Sequence, residues 1–301
     1  MPLAAFPKCF LDMLCRDHTM TPEQWVDMAA NQLDIDGLEF FTEFLDLENP
    51  EMISALRQRV EDHGLSIPML CYSPDFTKPD PSEREEEIGK QKQAIRAASI
   101  LGAKYCRVLS GQRRPEVSLE DGIRFAADSI RACLPYAAEV GITLILENHY
   151  KDSWWSYPEM AQKRDAFLAL LDAVGESPNF GVNYDPSNAV VAGDDPIELL
   201  EMVKHRVKTM HASDRYFVGG ATFEDLKKLD AHPMAGYASI LKHGIIGQGM
   251  NDYDKIFSIL AGVGFDGWVS IEDGQDPEVG MEHLRLSAVF LREKMKQYGL
   301  R

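Results

Sequence analysis

The chain has 301 residues, enough to bury one large core, and its 45% hydrophobic and 26% charged residues are those of a folded protein rather than a disordered one. Lys and Arg total 31 against 48 Asp and Glu, a formal charge of −17. Such a surface repels phosphate backbones and anionic lipid, so neither nucleic acid nor membrane is an expected partner.

In chain order, the first residues, MPLAAFPKCFLDML, lack a signal-peptide layout, because Pro7 and Lys8 interrupt them and Asp12 and Arg16 follow. No apolar run reaches membrane-spanning length. The five cysteines, Cys9, Cys15, Cys71, Cys106 and Cys133, form no Cys-x-x-Cys pair and are odd in number. A reducing compartment is implied, and a cytoplasmic location is expected. Short apolar segments then alternate with longer amphipathic ones from end to end, the mark of βαβ units and a parallel sheet. The predicted strands are Cys9–Met13, Gly37–Phe41, Ser66–Tyr72, Tyr105–Leu109, Thr143–Glu147, Gly181–Tyr184, Val207–His211 and Trp268–Glu272.

Helix punctuation falls between them. Thr21, Pro22 and Gln24 form a capping box with proline at the first helical position. Asn49 and Pro50 open a second helix that Gly64 ends, and Ser82 with Glu85 opens a third that Gly102 ends. Ser118 opens a fourth, ended by Gly141. A fifth follows Tyr157 and Pro158, Asp195 and Pro196 open a sixth, Asn251 opens a seventh, and Met281–Tyr298 forms the last. Eight strand–helix pairs predict closure into a single (β/α)8 TIM barrel over residues 1–301. The competing open sheet lacks its Gly-rich turn after the first strand. One connection, Ala212 to Met250, is unusually long and is read as a lid or substrate clamp.

In such a barrel the polar residues at the C-terminal ends of strands converge on one mouth. Four successive predicted strands end this way: LILENHY at Glu147, GVNYDPSN at Asp185, VKTMHASDR at His211 and GWVSIEDG at Glu272. One acidic strand end alone reads as a helix cap or a turn, as Asp185 before Pro186 would. Four on consecutive strands read as a metal site. Three carboxylates and one imidazole suit Mn²⁺ or Mg²⁺ and admit Co²⁺ or Zn²⁺.

Glu147, Asp185, His211 and Glu272 on four consecutive strands resemble the xylose isomerase-like barrel superfamily, the sugar phosphate isomerase/epimerase and AP endonuclease family 2-like proteins. The likeness is strongest over LENH (146–149), HASD (211–214) and residues 247–273, and GMEHLRLSAVFLR (280–292) fits it too. It implies the barrel, the metal and a sugar or polyol substrate. Matching Glu147 and Glu272 to the epimerases' paired glutamates implies that they ligate metal and work from opposite faces of an enediolate.

Other residues are candidates from their positions. His149, two residues beyond Glu147, is placed as acid or base, or else bonds a loop carbonyl. Asp214 is expected behind His211, Arg215 on a substrate hydroxyl or carboxylate, and Glu39 on sugar hydroxyls. His243 and Gln248 are further substrate-binding candidates in the long loop. Trp154, Trp155 and Tyr157 are candidates to stack on a sugar or simply to pack. Asn188 stands where ketose 3-epimerases commonly carry a histidine, three residues after the strand-six aspartate. His149, the IEDG ending and residues 243–254 also resemble barrel subunits that cleave 3-keto-glycosides. The leading expectation is therefore a metal-dependent isomerase or epimerase of a ketose or polyol. The alternative is a lyase expelling an aglycone or water from a 3-keto sugar. An endonuclease IV-like nuclease would need more histidines and a basic surface, and a non-catalytic binding barrel would not need Glu147 and Glu272 intact. The resemblance further implies a homo-oligomer and, for the lyase reading, a small partner subunit.

Overall fold

A computed structural model describes residues 1–152, 154–230, 236–274 and 276–300. Its main sheet contains β1 (Leu3–Ala5), β2 (Gly37–Leu38), β3 (Phe40–Phe41), β4 (Met69–Cys71), β5 (Tyr105–Val108), β6 (Thr143–Glu147), β7 (Phe180–Tyr184) and β8 (Val207–Ala212). After it come a separate antiparallel pair, β9 (Arg215–Phe217) and β10 (Leu241–His243), and then the last strand of the main sheet, β11 (Trp268–Ile271). The main sheet runs β2-β1-β11-β8-β7-β6-β5-β4-β3. β2 and β3 are the two halves of one strand interrupted at Glu39, so the sheet begins and ends on the same segment. Counted that way it is a closed barrel of eight parallel strands, the predicted (β/α)8 fold. Its strands are buried along nearly their whole length, as parallel strands covered on both faces must be.

The helices are α1 (Pro22–Gln32), α2 (Pro50–Asp62), α3 (Pro81–Ile100), α4 (Leu119–Glu139), α5 (Arg164–Val174), α6 (Pro186–Ala192), α7 (Pro196–Val203), α8 (Phe223–Asp230), α9 (Tyr253–Gly262) and α10 (Pro277–Gln297). The Thr21–Gln24 capping box forms in both directions, and Asn49 and Ser118 cap α2 and α4. Asp80, not Ser82, caps α3, with Pro81 at its first position, and Asp252, not Asn251, caps α9. In each case the carboxylate takes the backbone N–H two or three residues on, and a proline or tyrosine then begins the helix. No helix among the described residues is long and apolar enough to cross a membrane.

The first strand differs from expectation. Leu3–Ala5, not Cys9–Met13, pairs with both Val269–Ile271 and Gly37–Leu38. The apolar run after it coils into a 3-10 turn (Lys8–Phe10) and a π-helical turn (Asp12–Arg16). Its apolar residues seal the barrel edge instead, with Phe10 5.9 Å from the fully buried Trp25. Fully burying side chains of this size contributes about 1.5–3 kcal/mol each. The fifth helix begins at Arg164, well after Pro158, because residues 158–162 form a buried loop. The long connection folds into the β9–β10 hairpin and α8, and Arg215 pairs with His243 across the hairpin.

Candidate metal centre and its cavity

The four predicted ligands come together. Ligand atoms of Glu147, Asp185, His211 and Glu272 all lie within 4.8 Å of one another, and all four residues are buried. Each stands at or just past the C-terminal end of its strand, β6, β7, β8 and β11 in turn.

Around them the hydrogen bonds tie the four residues to one another and to two cations. Glu147 gives Oε2 to Arg107 (Nη1 at 2.8 Å) and turns Oε1 toward His211 (Nδ1 at 3.1 Å). Glu272 gives Oε1 to Lys8 (Nζ at 3.0 Å) and turns Oε2 toward His211 Nδ1 (3.4 Å). Each glutamate thus holds a cation with one oxygen and offers the other. Asp185 caps α6 through Asn188 N (3.0 Å) and accepts Ser213 Oγ (2.7 Å) with Oδ1. Cap and cluster member are therefore the same residue. The Asn188 amide spans Glu147 Oε1 (3.2 Å) and Asp185 Oδ2 (3.0 Å), tying two of the four together.

The electrostatics suit a cation. Burial opposes a charged His211, yet Glu147, Glu272 and Glu39 hold its proton well above the usual histidine range. Burial likewise opposes the Glu147 carboxylate, but His211 and Arg107 bring it down to about 2. Lys8 and His211 hold Glu272 low against burial, while burial and the charges of Glu272 and Glu147 push Asp185 up to about 6. Carboxylates and an imidazole converging on one point in a low-dielectric core are a donor set that fits a divalent ion. Glu147, Asp185, His211 and Glu272 would hold it, leaving room for substrate oxygens.

Glu39 and Asp214 do not do what their positions in the chain suggest. Glu39 is fully buried at the β2–β3 break and accepts or shares the His211 Nε2 proton (2.9 Å). It stands behind His211, the place expected for Asp214, and not on the cavity wall. Asp214 instead gathers backbone N–H groups from Gly247 (2.9 Å), Gly249 (2.9 Å), Asn251 (3.1 Å) and Arg215 (3.0 Å). A Cβ on Gly249 would run into that carboxylate, so glycine is required there.

A cavity of 260 Å³ opens above the centre, with Phe6, Lys8, Arg107, His149, Trp154 and Glu272 among its walls. Trp154 is 60% exposed at this mouth, whereas Trp155 is packed away. Tyr157 is half-buried, and its backbone N–H donates to Gln112 Oε1 (3.1 Å). Arg215 is buried, stacked 4.9 Å over the Tyr237 ring, with its Nε and Nη1 bound to nothing. His243 is bonded through Nδ1 to Asp273 Oδ1 (2.9 Å). Gln248 lies exposed in the turn that Asp214 ties and is not brought to the cavity.

Lys8, Arg107 and Asp273 were not singled out from sequence. Arg107 carried a signal, since a charge inside the apolar strand YCRV requires a partner. Lys8 was hidden by the misplaced first strand. Counted from Cys9 it precedes a strand, but counted from Ala5 it follows one and so belongs at the mouth.

Fold and site together define an α/β barrel with a buried group of three carboxylates and one histidine, able to hold a metal ion, at its C-terminal mouth. Residues 28–293 match the family model described as xylose isomerase-like TIM barrel, and the chain belongs to that family. It is 23% identical over 261 residues to the inosose dehydratase of Clostridium botulinum (strain Alaska E43 / Type E3), covering 81% of this chain and 82% of that one. Among solved structures it resembles L-ribulose 3-epimerase with a TM-score of 0.76 at 15% identity, covering 99% and 95% of the two chains. It also resembles the IOLI protein crystallised with a zinc atom, with a TM-score of 0.75 at 18% identity and 99% of both chains covered.

Proposed function

We propose that this protein is a divalent-metal-dependent lyase that removes the proton beside the ketone of a keto-sugar or keto-polyol and expels water or an aglycone from the β carbon. The dehydratase relatives carry the choice of elimination, and the pairing of the two glutamates carries the choice of base. Each already binds a cation, and each is held deprotonated far below neutrality, which makes both weak bases. His149 lines the cavity with no such cation on it. The bound ion would draw electron density from the substrate oxygens and acidify the neighbouring C–H. His149 takes that proton, and Lys8, which Glu272 keeps protonated against burial, is the cation on the wall for the departing oxygen. The relatives named inosose dehydratase support elimination of water, the reaction their name states.

The second reading, epimerisation of a ketose, shares the first proton transfer and is favoured by the fold of L-ribulose 3-epimerase. Asn188 supports the lyase reading over this one. Its amide is committed to Glu147 and Asp185, where ketose 3-epimerases commonly carry a histidine.

Proton NMR in D₂O decides between them, using Mn²⁺-treated protein, an inosose, a 3-keto-glucoside and a free ketose, with EDTA-treated controls. Release of water or aglycone is the expected result. Deuterium beside the ketone with an intact skeleton would transfer the assignment to the epimerases. No metal-dependent change with any of the three would overturn both readings.

A further inference from the structure

The loop after β6 holds a buried acid that the reaction outlined above leaves unused. Glu159 has no solvent exposure. Its Oε1 accepts both the backbone N–H and the hydroxyl of Ser110 at 2.8 Å, and that hydroxyl in turn accepts from Ala161 N at 3.0 Å. The Glu159 backbone is pinned as well, its N–H donating to Tyr150 O at 2.8 Å. Its Oε2 has no hydrogen-bond partner and lies 3.4 Å from His149 Nδ1, a buried atom equally without one. A buried carboxylate oxygen and a buried ring nitrogen are both costly to leave unsatisfied, and here each is the answer to the other.

We propose that Glu159 is a positioning residue for His149, holding the imidazole as the Nδ1–H tautomer so that the Nε2 lone pair faces the cavity. The proposal rests on the reading of His149 as the base. In that step the Nε2 lone pair forms the new N–H bond, and the C–H electron pair moves into the carbon skeleton toward the ketone. The imidazolium keeps its Nδ1–H against Glu159, whose charge balances it. The proton then leaves His149 for the departing oxygen, which takes the C–O electron pair, and the neutral tautomer is restored. Ser110 fixes the carboxylate from behind, so the order runs Ser110, Glu159, His149, cavity. The tautomer of a histidine is set by the bond its other nitrogen makes, and here that bond can only run to an acceptor.

The test reads the tautomer directly. ¹⁵N-detected two-bond correlation NMR of the Zn²⁺-loaded protein, with His149→Asn to assign the signals, should show His149 protonated at Nδ1. In Glu159→Gln the carboxamide can donate, and the ring should turn over to the Nε2–H form. With a 3-keto-glucoside as probe, that variant should lose at least about tenfold in kcat while KM and bound metal stay as in the parent. Nε2–H in the parent protein would overturn the proposal, as would an unchanged tautomer or an unchanged kcat in the variant. Loss of metal together with kcat would reduce Glu159 to a structural residue. The tautomer is read without substrate. A parent protein with the expected tautomer but no turnover on any keto-sugar would therefore strike the proposed reaction and not this arrangement.

Discussion

His211 is the residue on which the centre turns, because both ring nitrogens are engaged. Nδ1 faces Glu147 and Glu272, and Nε2 is taken by Glu39. A carboxylate behind a ligating imidazole fixes its orientation and strengthens it as a donor. Replacing Glu39 by Gln should therefore weaken divalent-ion affinity by about 10–100-fold without unfolding the barrel. Competition with a chromophoric chelator measures it, and unchanged affinity would remove Glu39 from this role. The four ligands were legible in the sequence because each follows an apolar strand and strand ends converge. The supports were not, since Glu39 and His211 are 172 residues apart and Glu159, beside His149, sits in a loop with no period to read. Glu39 also shows how position misleads. It ends half a strand, as a substrate contact would, but the strand break buries it.

At the scale of elements, two loop clamps at the mouth lend themselves to measurement. Asp75, between β4 and α3, accepts from Arg114 Nη1 (3.0 Å), Gln112 N (3.1 Å) and Gln112 Nε2 (2.8 Å). Burial pushes its carboxyl up, but these donors bring it below the usual aspartate range. Its stabilising contribution is thus complete above the unfolded pKa, near about 3.9, and fades as pH falls through the lower folded value. Asp75→Asn should cost roughly 1.5–3 kcal/mol at neutral pH, and urea titrations of parent and variant should converge below about pH 4. A gap that stayed constant down to pH 2 would contradict this assignment. Asp214 is the second clamp. Asp214→Ala should speed hydrogen exchange at the amides of Gly247, Gly249 and Asn251 and leave the strand amides of β6 and β7 protected. Equal exchange in both proteins would show that the clamp is idle. The helix starts at Thr21, Asn49 and Ser118 were readable because a cap is local. The first strand was not, because three residues, Leu3–Ala5, two of them alanines, carry less pattern than the apolar run behind them. What selects them is pairing with β11 and β2, hundreds and tens of residues away.

For the whole molecule, the buried carboxylate–histidine cluster would couple ion binding to stability. An ion that binds only the folded barrel stabilises it by about 2.7 kcal/mol at one hundred times its Kd. Stripping with EDTA should lower the melting temperature, and Mn²⁺ or Zn²⁺ should restore it in a concentration-dependent way. A midpoint indifferent to both would argue against a resident ion. The alternating pattern made the barrel itself legible, since eight apolar runs buried on both faces leave few other architectures. The excursion from Arg215 to Asn251 was legible only as length. Yet both its ends are bound to one carboxylate, Asp214, at the point where the chain leaves β8. Knotted at its base, the excursion resembles an exchangeable cassette. Closure entropy grows only slowly with length, so what lies between the knots can be lengthened, shortened or replaced while the barrel keeps its register.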